Sequence, residues 1–131
     1  MDWFYDDGGR SRYFKGRNVR DCVVRSLAIA SRKDYRYVYD LVRKVSGDTP
    51  RDGVKAKHCH QLAALLGGRW VPCCGIGVKS RVHLVDSELP QGRIVCRVSG
   101  HLTAVIDGVI HDNHDPSRNG TRMVYGYWIF E

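Results

Sequence analysis

The chain has 131 residues, 43% hydrophobic and 27% charged, enough for one domain with a core that needs neither disulfides nor metal to hold it. Its net charge of +7 and pI near 9.4 permit attraction to nucleic acid, anionic surfaces or acidic proteins without naming any of them. No apolar run approaches the roughly 20 residues that span a bilayer, which excludes a transmembrane helix.

Residues 1–17 carry aromatics around Asp6-Asp7-Gly8-Gly9, then Arg10, Arg12, Tyr13, Phe14 and Lys15, and read as a flexible or flap-like arm. Basic residues interleaved with aromatics also suit single-stranded nucleic acid. Asn18 followed by Asp21 resembles a capping box that opens a helix over 19–30; alternatively Asp21 is itself the cap. Either choice leaves Cys22 at the helix start, where unpaired N–H groups and the positive end of the dipole favour a thiolate. A second helix over 34–45 has Val38, Leu41, Val42 and Val45 at helical spacing and ends at Gly47. A third, over 54–66, carries Cys59, Leu62, Ala63 and Leu66 and stops at Gly67-Gly68. His58-Cys59-His60 on that helix cannot close one tetrahedral site, because sequence neighbours point about 100° apart.

Residues 69–74 read as a short strand. Ser80 is expected to cap a short helix carrying Val82, Val85 and Leu89, and 93–99 alternates as a strand with Ile94, Cys96 and Val98 on one side. The aromatic tail over 121–130 reads as a further strand. Helices first and an antiparallel sheet afterwards make an α+β fold.

Two apolar runs flank Asp107-Gly108, the signature of a hairpin closed by a type I′ turn. In that register 106 faces 109, 104 faces 111 and 103 faces 112. His101, Thr103, Val105, Ile110, Asp112 and His114 then share one face, with His101 and Asp112 diagonal neighbours roughly 7 Å apart at the backbone. A histidine steadied by an acid calls for a nucleophile, and Cys22 is the candidate. The long gap between them is expected, since such partners meet in space rather than in sequence. Asp21 beside the cysteine is expected to oppose thiolate formation by like charge.

The block Asp21-Cys22-Val23-Val24-Arg25-Ser26-Leu27-Ala28-Ile29-Ala30, together with Gly100-His101-Leu102-Thr103-Ala104-Val105-Ile106-Asp107-Gly108-Val109-Ile110-His111-Asp112, resembles small papain-like cysteine-peptidase-fold proteins, many of them phage-encoded. The similarity spans roughly residues 18 to 128 in order of elements, with the two blocks as its specific part. The resemblance implies a papain-like domain over 1–131, with N-terminal helices packed on a C-terminal antiparallel sheet. Residue by residue it implies Cys22 as nucleophile, His101 as base and Asp112 as orienting acid. Such enzymes often place a glutamine before the cysteine to form the oxyanion hole; this chain has Gly16 near that place, and Asn18 is its nearest amide. The expected activity is that of a cysteine-dependent hydrolase or acyl-transfer enzyme of peptidase, isopeptidase or amidase type, without a cofactor. Its expected partner is a protein or peptide substrate, a host protein among the candidates, with nucleic acid not favoured.

Two other readings compete. Metal-dependent hydrolysis would draw on Asp112, His114 and His101, but no dedicated ligand spacing is complete, so no metal is assigned. A non-catalytic basic module on a peptidase-like fold, binding a protein or nucleic acid, is the principal alternative. Five cysteines and an N-terminus without a basic or apolar leader region lead to the expectation of a reducing cytoplasm, the host's if the chain is phage-encoded.

Overall fold

The computed structural model describes residues 1–16, 19–75, 77 and 79–131. Among them the chain forms three α-helices: α1 (Cys22–Ser31), α2 (Tyr35–Ser46) and α3 (Ala56–Leu65). Six strands build one sheet: β1 (Trp3–Tyr5), β2 (Gly68–Pro72), β3 (Arg93–Val98), β4 (His101–Ile106), β5 (Val109–Asp112) and β6 (Gly126–Phe130). Their order across the sheet is β1-β5-β4-β3-β6-β2. The architecture is α+β, and no described helix is long and apolar enough to cross a membrane.

α1 is apolar around most of its circumference, and Val23, Val24, Leu27, Ala28 and Ala30 are all buried. A helix with so little polar surface becomes the centre of a core rather than its cover. It packs chiefly on β4, and α2 and α3 complete the layer through Val38, Val42, Leu62 and Ala63, meeting Val95, Leu102, Trp128 and Phe130 from the sheet. α1 ends at Arg32 in the left-handed region, with the Lys33 N–H returning to the Ala28 carbonyl. α2 begins at Asp34, whose carboxylate accepts from the Arg36 N–H at 3.0 Å, and closes on Gly47.

The alternation expected in β3 is present and both of its faces are used. Val95 faces the helices, while Ile94, Cys96 and Val98 join Val105, Ile110, Leu84, Leu89 and Val124 in a second cluster. That second face explains why no helix follows Ser80. The Ser80 hydroxyl turns to the carbonyls of Val82 and Val124, and the Val124 N–H reaches the Val82 carbonyl. Pairing against 122–124 keeps the segment extended and buries Leu84, leaving only a 3-10 turn at Asp86–Glu88.

Two further expectations are corrected. Residues 3–5, placed in a flexible or flap-like arm, form a strand that pairs in parallel with β5, so the sheet is mixed rather than purely antiparallel. The C-terminal strand is shorter than the expected 121–130: residues 122–124 pair with the segment after Ser80, and β6 inserts between β3 and β2, antiparallel to both.

The hairpin has the expected register: Ile106 faces Val109, Val105 faces Ile110 and Ala104 faces His111. Asp107 and Gly108 both have positive φ, 48° and 81°, as a type I′ turn requires. The Asp107 carboxylate also accepts from the Gly92 N–H at 2.8 Å, which ties the turn to the entry of β3.

Candidate active site

Cys22 is the first residue of α1, three residues later than the helix start expected from the sequence. Asp21 occupies the N-cap position, but its carboxylate does not cap. It is fully buried and taken up by other groups: Arg25 in a close ion pair, the Tyr35 hydroxyl donating at 2.6 Å, and Arg10 at 3.6 Å. Asn18, the other candidate cap and the expected oxyanion donor, lies outside the described residues.

The end of the hairpin remote from its turn meets this helix start. His101 opens β4 and Asp112 closes β5, and His101 Nε2 lies 2.7 Å from Asp112 Oδ2. With Nε2 committed there, Nδ1 remains for the Cys22 thiol, which lines the same cleft and whose ionised form the imidazole favours. Cys22, His101 and Asp112 are thus brought together. Asn113, which a one-residue slip would have promoted, is instead hydrogen-bonded to His114 Nδ1 at 2.6 Å.

Asp112 is 3% exposed, and both of its oxygens are occupied. Thr103 Oγ1 donates to Oδ2 at 2.7 Å, the Asn113 N–H donates to Oδ1 at 2.7 Å, and Arg25 Nη2 stands 3.4 Å from Oδ1. The charges therefore alternate along one connected path: Arg10, Asp21, Arg25, Asp112, His101, Cys22. This corrects the expected effect of Asp21. Its charge is spent on Arg25 and Arg10, and Arg25 acts on the thiol in the favourable sense.

The titration behaviour follows from this path. Burial is the largest single influence on Cys22 and pushes the thiol up, yet His101, the Leu102 backbone N–H and Arg25 together outweigh it and leave it below its ordinary value. Burial likewise opposes the charged form of His101, but the Asp112 hydrogen bond and the neighbouring sulfur raise the imidazole to about 9. Asp112 is lowered despite its burial, through His101, Thr103 and Arg25. Burial pushes Cys59, Cys73 and Cys96 the opposite way, Cys59 to about 11. Cys22 and His101 each favour the charged form of the other, so the pair titrates as a unit. Comparison with family models, with curated proteins and with solved structures finds no match to this chain.

The metal alternative meets a chemical obstacle. His101, Asp112 and His114 do offer ligand atoms within 4.8 Å of one another. Yet His101 Nε2 and both Asp112 oxygens are committed to hydrogen bonds, and a dication there would stand beside Arg25. This is the geometry of a hydrogen-bonded acid–base pair, not of ligands turned to a common centre.

A cleft of about 690 Å³ opens over Cys22 and His101, with the starts of α1 and α3 on one side and the β3–β4 turn and residues 113–114 on the other. Sequence reasoning missed Arg25, Arg10 and Tyr35 as supports of the site. The Asp21–Arg25 spacing of four on a helix was a readable signal; the buried partners Arg10 and Tyr35 come from elsewhere in the chain and left none. Thr103 was placed on the correct face without a role.

Proposed function

We propose that this chain is a papain-like cysteine hydrolase or acyl-transfer enzyme. The observation that carries the reading is the contact of a helix-start thiol with an imidazole whose far nitrogen is held by a buried carboxylate. Chain order and element order, with the nucleophile on a leading helix and the base and acid on a later hairpin, support the family resemblance.

The chemistry follows from the geometry. The Cys22 thiolate attacks a carbonyl carbon and forms a C–S bond, while the electron pair of the C=O moves to oxygen. The Cys22 backbone N–H, at the first position of α1 and free of an intrahelical acceptor, is the donor we assign to the developing oxyanion. His101 gives its proton to the leaving group as the carbon–heteroatom bond breaks, and an acyl-enzyme remains. Water or an amine, deprotonated by the now neutral imidazole, then releases the acyl group. Asp112 holds the ring in place and stabilises its protonated form.

p-Nitrophenyl acetate tests this directly. The reading predicts a stoichiometric burst of nitrophenolate, acetyl on Cys22 by peptide mapping, and loss of both in Cys22→Ala. Acetyl spread evenly over the cysteines, or absent from Cys22, overturns it.

A further inference from the structure

The walls of the cleft have a charge that the acyl-transfer chemistry does not use. None of its lining residues is an aspartate or glutamate, whereas Arg20 and Arg97 line it in addition to Arg25. Arg25 is spent on Asp21 and Asp112. Arg97, on β3, is half-buried, and among the described residues its guanidinium has neither a carboxylate within 4.0 Å nor a side-chain hydrogen bond. Among the described residues its nitrogens are not shut away from water, so the guanidinium is open to a ligand that enters the cleft. Arg20 is exposed at the rim, where its backbone is fixed by hydrogen bonds to Arg51 and Gly53 and its guanidinium lies against Gly53. Planar guanidinium groups suit carboxylates, which they grip with paired N–H donors.

We propose that the cleft selects an acidic peptide, with Arg97 as the principal carboxylate receptor and Arg20 as a second, rim-level contact. The proposal rests on the reading of Cys22 as nucleophile. A volume of about 690 Å³ leaves room for several residues of substrate around the thiol, so the acidic side chain need not be on the residue that is attacked. Arg97 approaches from the α3 side, where its charge is felt by Cys59 and His60, and so reads the part of the peptide lying along that wall.

The probe is a series of tripeptide chloromethyl ketones in which each position in turn is glutamate or glutamine. The thiolate displaces chloride and forms a thioether, and peptide mapping reports the rate at Cys22. At one position glutamate reacts about tenfold faster than glutamine, the effect of one charge-assisted contact. Arg97→Gln removes most of the advantage of glutamate over glutamine, and Arg20→Gln gives a smaller loss of the same advantage. Raising the ionic strength on the wild-type protein erodes the same preference, which keeps the test valid should a variant fold poorly. Reaction at Cys22 with no glutamate preference at any position, or a preference that survives both substitutions, overturns the acidic-peptide assignment alone. Failure of Cys22 to react with any member overturns the nucleophile reading, and this assignment with it.

Discussion

Asp112 is held by donors from four residues: His101, Thr103, Arg25 and the Asn113 backbone. Each favours the ionised carboxylate, which is why a nearly inaccessible acid stays below its ordinary value. Thr103→Val keeps the shape and removes one donor. It is expected to cost about 2 kcal/mol in denaturant unfolding, the worth of a buried hydrogen bond to a charged group. Arg25 links two buried carboxylates, so Arg25→Met strands negative charge at both. A loss of about 3 kcal/mol or more is expected, together with a rise in the pH at which Cys22 ionises. Unchanged stability in both variants would show that these donors do not hold Asp112.

At the scale of elements, the hairpin decides whether a site exists. Its register was legible in the sequence because Asp107-Gly108 admits a single turn type and the two-residue loop fixes every pair beyond it. Gly108 has φ 81°, a conformation that side-chain-bearing residues rarely adopt, so an added methyl group meets strain, whereas the exposed Asp86 carboxylate beside it can move aside. Gly108→Ala is expected to cost about 1 to 3 kcal/mol and to weaken the His101–Asp112 contact, visible as slower Cys22 alkylation. Helices α2 and α3 were legible from their spacing and stops, α1 from its apolar run. The extended path after Ser80 and the insertion of β6 were not, because both are decided by pairing with distant segments rather than by local pattern. Asp21 was misread for the same reason. Its neighbour in sequence suggested repulsion, whereas in space Arg10 and Arg25 neutralise it and the Tyr35 hydroxyl donates to it.

At the scale of the whole molecule, the alternating charges run from the N-terminal segment through α1 into the sheet, so protonation and stability are coupled. The depressed Asp112 contributes stability that is present above its ordinary range and is lost as pH falls through its lower folded value. The raised His101 contributes stability that is full below 6.5 and is lost as pH rises through about 9. The lowered Cys22 adds stability over the same alkaline window, so the two contributions offset each other. Wild-type unfolding free energy is therefore expected to change less across that window than the raised His101 alone would give, while Cys22→Ala removes both the thiolate and one cause of the raised imidazole and so gives a different profile. Parallel profiles for the two proteins would contradict the coupling. The thiolate–imidazolium pair is tested by the alkylation rate of each cysteine with iodoacetamide across pH, in the wild type and in His101→Ala. Cys22 is expected to react far faster than the other four below neutral pH, and His101→Ala to move its ionisation upward, because the strongest influence set against burial is then gone. A Cys22 that ionises like a free thiol near ~8.5 in both proteins would contradict it.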